Sequence, residues 1–343
     1  MSLSRALETG DLAELPSRRD EDWRWSDLRG LIRAIPPASP DASARGEGPF
    51  AAVCSETMLV INGGSARIHL AAGEKKTIAL RLISRAEGTS HSADVAVTVA
   101  EGAELTLLES HESFGAGYIT DVEMDITLGA SAVLERVVVA TEAADAIAVT
   151  LARVGIGAGS KFAQTTLAIG AKRQRIETRL AHPGAGAAVR LDGVYLVGEK
   201  RHTDLTSTVT HKGEGGTTDQ LTKGAVAGQG RGVFQGRITV ERGADKTDAK
   251  MGHHALILDD RGEVDSKPEL LIFADDVACA HGNTVGQLDE QAIFYARQRG
   301  MTLAEARALL TEAFIGEVID RIEHDGARDV ARTWASEKLR GLT

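Results

Sequence analysis

From about residue 58 onward, apolar and polar residues alternate with a period of two. Val95, Val97 and Val99 alternate with smaller or polar residues, and Val122, Met124, Ile126 and Leu128 alternate strictly with Glu123, Asp125 and Thr127. Ile147, Val149 and Leu151 repeat the pattern, as do Ile176, Thr178 and Leu180 in a weaker form. Alternation sends one set of side chains into a core and the other toward water, which predicts β-strands.

A longer period is laid over this one. A glycine followed by a small residue closes one strand in each unit: Gly102-Ala103, Gly129-Ala130, Gly157-Ala158, Gly186-Ala187, Gly215-Gly216 and Gly243-Ala244. The successive spacings are 27, 28, 29, 29 and 28 residues. A second strand follows each turn, as in Leu105–Leu108, Leu134–Val139 and Val189–Leu196. A sustained spacing of this length predicts a solenoid, in which each unit covers the apolar face of its neighbour. With all-β units this is a β-helix or a related stacked-sheet architecture. The rival is a β-sandwich with regular hairpins. The solenoid is preferred because the turns recur in register at a spacing longer than a hairpin repeat.

Both ends depart from the β pattern. Ser17, with Asp20 three residues on, predicts the start of a helix carrying Trp23, Leu28, Leu31 and Ile32, stopped by Pro36 and Pro37. Residues 36–49, rich in Pro, Ala, Ser and Gly, read as a mobile linker. After residue 288 the period becomes helical. Asp289 caps a helix through Ile293, Phe294 and Arg297, with Gly300 as its C′ residue, and Thr302-Leu303-Ala304-Glu305 is a capping box. Leu303, Leu310, Phe314, Val318 and Ile322 form an apolar stripe behind it, and a last helix carries Val330 and Trp334. The chain thus divides into a helical N-terminal segment with linker (1–49), a β-helix core (50–288) and a C-terminal helical domain (289–343). The helices either cap the end of the solenoid or dock a partner.

Composition narrows the function classes. Of 343 residues, 43% are hydrophobic, enough for a sizeable core. The formal net charge of -10, with no basic run, argues against nucleic-acid binding. The first residues carry acids and no apolar segment, so they do not read as a signal peptide, and no stretch approaches the ~20 apolar residues of a membrane helix. The two cysteines, Cys54 and Cys279, form no disulfide framework, and a cytoplasmic protein with reduced thiols is the expectation.

Candidate chemistry is sparse. An iron–sulfur cluster normally takes four thiolates, so a chain with two cysteines has to share any cluster with another chain. Cys279-Ala280-His281 is the one place where a histidine lies close to a cysteine. On residue chemistry alone, Cys279 reads as a small buried hydrophobe and His281 as a hydrogen-bonded structural residue. His253 and His254, adjacent in a strand, point to opposite faces and make a poor metal pair. His111 sits among acids, and His182, His202 and His211 lack ligand spacing. There is no P-loop, and Gly155-Ile156-Gly157-Ala158-Gly159 belongs to the periodic turns. There is no nucleophile elbow. A carbohydrate-active β-helix enzyme is the enzymatic alternative, but Asp275-Asp276 is adjacent rather than paired across a face. A structural homodimer joined through open β-edges is the third reading.

The C-terminal region carries a recognisable pattern. Lys267-Pro268-Glu269-Leu270, Asp275-Asp276-Val277-Ala278-Cys279-Ala280-His281-Gly282-Asn283-Thr284-Val285-Gly286, Ile293-Phe294-Tyr295 and Arg299-Gly300-Met301 follow one another in order. Together they resemble the SufB/SufD family. Val233–Val240, Lys246–Ala249 and Glu21–Leu28 resemble it too, so the likeness spans most of the chain and is strongest over 233–315. The His-Gly-x-Thr form is similar to the SufD type. Met251-Gly252-His253-His254 stands where the family usually has Gln-x-x-Asn, and the N-terminal part is short for the family. The resemblance implies a right-handed parallel β-helix with a helical C-terminal domain. It implies a non-catalytic scaffold subunit of iron–sulfur cluster assembly, pairing with a SufB-like subunit through the β-helices. It also implies docking of a SufC-like ATPase through the helical domain, where Phe294, Tyr295, Arg299, Leu303, Leu310 and Phe314 are the expected contacts. His281 then falls at the SufB interface as a ligand of a transient shared cluster, with Cys279 beside it in the motif. No tightly bound cofactor is expected on this chain alone, nor any nucleic acid or membrane, and a homodimer of the isolated chain is left open.

Overall fold

The structure, a computed structural model, describes residues 2–44 and 46–342. Among the described residues, seventeen strands form two sheets. The nine-stranded sheet holds β1 (Glu56–Ile61), β3 (Lys75–Ser84), β5 (Glu104–Ser113), β7 (Val133–Thr141), β9 (Lys161–Ala168), β11 (Ala188–Val197), β13 (Thr217–Val226), β15 (Thr247–Ile257) and β17 (Val277–Gly286). The eight-stranded sheet holds β2 (Gly64–Leu70), β4 (Ser90–Val99), β6 (Ile119–Leu128), β8 (Ile147–Ile156), β10 (Arg173–His182), β12 (His202–His211), β14 (Arg231–Val240) and β16 (Glu263–Ile272). The chain alternates between the sheets, and each strand pairs with the strand two places on.

Every strand pairing is parallel, so the β-sandwich alternative is excluded and the body is a two-sided β-solenoid. The repeat follows from this: two strands, most of them ten residues long, and two short turns make one coil. Register is unbroken across the eight-stranded sheet. Ile68, Val97, Ile126, Val154, Leu180, Val209, Ile238 and Leu270 stack as one aliphatic ladder. The turn glycines serve two purposes. Gly243 has φ 81°, a left-handed conformation that an L side chain resists. A Cβ on Gly157 would lie 2.7 Å from the Ala130 nitrogen, so there the turns stack too closely for a side chain.

The interior is aliphatic at the first coils and becomes partly polar further on. The fully buried Arg136 lies at 2.9 Å from each oxygen of Glu109 and gives a further hydrogen bond to Gln164 at 2.9 Å. Burial pushes the Glu109 carboxyl up, but the Arg136 charge and the His111 hydrogen bond outweigh it and hold it at about 2.

Both appended ends differ in detail from the sequence expectation. The N-terminal helix, α1, covers Leu3–Thr9 and is capped by Ser2. Residues 17–35 form turns and one short 3-10 turn at Glu21–Trp23 instead of a helix, because their polar and aromatic groups are engaged by the solenoid. Leu3, Ala6, Leu15, Leu28 and Ile32 pack against Ile119, Ile147 and Val149 on the outer face of the eight-stranded sheet. The segment expected to be a mobile linker is stapled down. Ser39 N–H donates to Ser90 O at 2.8 Å, Ser90 N–H to Pro37 O at 2.8 Å, and Arg81 to Gly46 O at 2.9 Å.

The C-terminal helices are α2 (Glu290–Gln298), α3 (Leu303–Ile319) and α4 (Asp325–Leu339). They do not cap the solenoid end. Ile315, Val318, Ile319, Ile322, Ala331, Trp334 and Leu339 pack on Leu108, Val137, Val139, Leu167, Val194 and Leu196 along the outer face of the nine-stranded sheet. That leaves β16 and β17, the terminal strands of the two sheets, with no coil above them.

Candidate functional site: the uncovered terminal coil

β17 continues the inward face of the solenoid one strand beyond the last full coil. Its Cys279 lies beside Ala249, His281 beside Met251 and Asn283 beside His253 of β15. Ala249, Met251 and His253 are buried interior residues, so Val277, Cys279, His281 and Asn283 occupy the interior-facing side of the terminal strand. Val277 and Cys279 remain half-buried against the aliphatic core, whereas His281 and Asn283 are exposed. The reason is topological: these positions face a lumen that no further strand closes.

The electrostatics of this end are set by burial. Burial pushes the Cys279 thiol up, with the Asp248 charge acting in the same direction, so it is not an activated thiolate in the isolated chain. His253 shares a hydrogen bond with Tyr195 Oη at 2.9 Å through Nε2 and with Asn283 Oδ1 at 2.7 Å through Nδ1. Its ring stacks on Phe234 at 4.7 Å. Burial depresses its pKa to about 4, so a single neutral tautomer, donating to Asn283 and accepting from Tyr195, satisfies both contacts. His254 faces the other way and meets Thr284 at 2.7 Å, as alternation requires. Asn283 is therefore held from inside while His281, two residues earlier, stands open. The sequence had no local signal for this brace, since its partners lie 30 and 58 residues from His253.

Two donors of different type on one strand face, with Cα atoms about 7 Å apart, fit part of a cluster ligand set and fall short of a whole one. Among the described residues no group of three or more His, Cys, Asp or Glu side chains converges to hold a metal ion. Asp275 and Asp276 sit on the exposed turn before β17.

The expected docking residues fall into two groups. Phe294 and Tyr295 are 65% and 60% exposed on α2, with Arg299 over the Tyr295 ring at 4.8 Å, and Leu303 is 44% exposed at the start of α3. Leu310 and Phe314 are half-buried, and Phe314 packs on the solenoid beneath the Lys223 ammonium at 4.5 Å. The buried face of α3 runs through Ala306, Thr311, Ile315, Val318 and Ile319, so of the stripe expected from sequence only Val318 and Ile322 are buried. Only the second half of α3 reaches the sheet. The α2–α3 hairpin overhangs β15, enclosing a cleft of about 420 Å³ lined by Ile257, Leu258, Leu288, Ile293, Leu303 and Arg307, with Asp259, Asp260 and Glu290 at its rim. Leu309, 46% exposed, was not singled out from sequence, and it adds to this apolar display.

The described residues thus form an all-parallel two-sided solenoid with its terminal coil uncovered and helices along an outer face. Residues 82–314 match the family model described as "SUF system FeS cluster assembly, SufBD core domain", and the chain belongs to that family. Escherichia coli "Iron-sulfur cluster assembly protein SufD" is 26% identical, the alignment covering 99% of this chain and 92% of the relative. A SufBD family protein of Synechocystis sp. is 28% identical over 66% of this chain and 52% of its own length. The chloroplastic ABCI7 protein of Arabidopsis thaliana is 30% identical over 69% of this chain and 51% of its own. The chain thus spans about half the length of the latter two relatives. Membership in the family supports a role in iron–sulfur cluster assembly. No described helix is long and apolar enough to cross a membrane.

Proposed function

We propose that this chain is a non-catalytic scaffold of the SufD type, and that the uncovered terminal coil is where it joins a second, SufB-like β-solenoid. The carrying observation is that Cys279 and His281 lie on the interior face of β17, where a second solenoid end would close over them. A strand edge with free backbone groups is a ready template for another chain. In this reading the nascent cluster is cargo held between two chains. His281 supplies one ligand from this side, and Cys279, half-buried, is the weaker donor. The ATPase docks on the overhanging α2–α3 hairpin, where Phe294, Tyr295, Leu303 and Leu309 display apolar surface away from the core. Clusters form only in the joined complex, and the lone chain holds no cofactor.

The test is His281→Ala in the co-purified complex, with cluster content read by absorbance and iron analysis. His281 is exposed and makes no core contact, so the variant folds and assembles normally while cluster yield falls by about tenfold. Equal yield in variant and parent would remove His281 from the site.

A further inference from the structure

The outer face of β16 is held by a piece of the chain 246 residues away, and this contact has no part in the site described above. Residues 21–26 cross the eight-stranded sheet from β10 to its last strand. Their inner end is anchored firmly. The Trp23 ring lies 4.4 Å from the guanidinium of the buried Arg175, which also donates to Asp22 O at 2.8 Å. Ser26 Oγ donates to the buried Asp204 at 2.5 Å, and His202 Nε2 and Arg173 reach Trp25 O at 2.9 and 3.0 Å. The outer end meets the edge. Lys267 Nζ of β16 lies 2.6 Å from Glu21, and Arg237 of β14 lies 3.1 Å from Asp22. Glu269 of β16 joins both cations, at 3.3 Å from Lys267 and 2.9 Å from Arg237. The five charges alternate in sign along one line from the segment to β16, on to β14 and back.

A terminal strand is bonded on one side only and is the first part of a sheet to fray. β16 is half-exposed along most of its length and carries Pro268, which offers no N–H to a ladder. A single exposed ion pair contributes little, but a connected network anchored by a cation–π contact and buried hydrogen bonds holds one geometry. Among the described residues, the outer face of β17 carries the His254–Thr284 hydrogen bond and no such ion-pair network. We propose that residues 21–26 are a strap whose positioning residues, Glu21 and Asp22, brace β16 and preform the terminal coil before a second chain arrives. Preforming that surface lowers the ordering cost of association. The part played in association rests on the pairing reading above, but the bracing itself does not.

Hydrogen exchange on the full-length chain tests the bracing directly. Glu21→Gln and Lys267→Met each remove one charge from the outer end and leave Trp23, Arg175 and Asp204 in place. Each speeds exchange of the 263–272 amides by roughly two- to fivefold, as expected for losing one networked ion pair. Exchange across β4–β8 stays unchanged and serves as the internal check that the chain is folded. Association with a SufB-like β-solenoid chain, followed by its rate, slows in the same variants. If neither variant alters β16 exchange, the strap does not brace the edge and the inference is wrong. If exchange rises but the parent chain itself fails to associate, the strap stands and it is the pairing reading that fails.

Discussion

Asp121 shows what a single buried group costs this fold. It sits on the outer face of β6, is 4% exposed, and its Oδ2 has no hydrogen-bond partner. Burial, with Glu123 and Asp94 adding repulsion and only Arg153 opposing, raises its pKa from 3.8 to about 7. A carboxyl raised on folding costs stability where it must be charged. The penalty is complete above pH 7 and fades as pH falls toward 4. Asp121→Asn is therefore more stable than the parent at pH 8, by roughly 1–3 kcal/mol, and the gain shrinks at pH 5. Urea unfolding at both values measures it, and a variant less stable at pH 8 would show that the carboxylate has a partner. Residues whose role depends on near neighbours were readable in sequence. Thr302 and Glu305 form the reciprocal capping box, and Asp289 caps α2. The pair Cys279 and His281 was readable as a motif. The His253–Asn283 brace and the Glu21–Lys267 contact were not, because the chain brings them together only by coiling.

At the scale of elements, helix periodicity located α2, α3 and α4 but did not orient α3. Leu303, Leu310 and Phe314 share a helical stripe with Val318, yet only the second half of α3 meets the sheet, so the buried face follows Ile315, Val318 and Ile319. The apolar residues of the first half, Leu303 and Leu309, stay exposed. The helices are also less separable than their sequence boundary suggests. Glu135 of β7 accepts N–H groups of Glu323 and His324 at 2.6 and 2.9 Å, fixing the corner between α3 and α4. Ending the chain at Leu288 would strip Leu108, Val137, Val139, Leu167, Val194 and Leu196 of their cover. At about 1.5–3 kcal/mol per buried aliphatic side chain, the loss rivals the ~5–15 kcal/mol net stability of a domain. The truncated chain is expected to aggregate and bind a hydrophobic dye. A monodisperse product with an unchanged unfolding midpoint would show that the helices are an independent unit. The proposed docking of a SufC-like ATPase is for this reason better probed by point changes at Phe294 and Tyr295 than by deletion.

At the scale of the molecule, the repeat of near 28 residues announced stacked β coils, since each coil must present the same turn at the same place. Alternation also placed Val97, Ile126 and Leu180 of the aliphatic ladder inside, whereas Ile147 and Val149 lie on the outer face beneath the N-terminal segment. Which coil ends stay open was not readable, because the N-terminal segment and the C-terminal helices were each free to cover an end. Both lie along the outer faces of the sheets instead, the first on the eight-stranded and the second on the nine-stranded sheet. The terminal coil with Cys279 and His281 is left uncovered as a result. Whether that end is the place of joining is the decisive question for this molecule. Hydrogen exchange of this chain with and without a SufB-like β-solenoid chain measures it most directly. Joining at that end brings new protection across residues 263–286 and leaves β1 and β2 at the opposite end unchanged. Protection at β1 and β2, with residues 263–286 exchanging as in the lone chain, would contradict it.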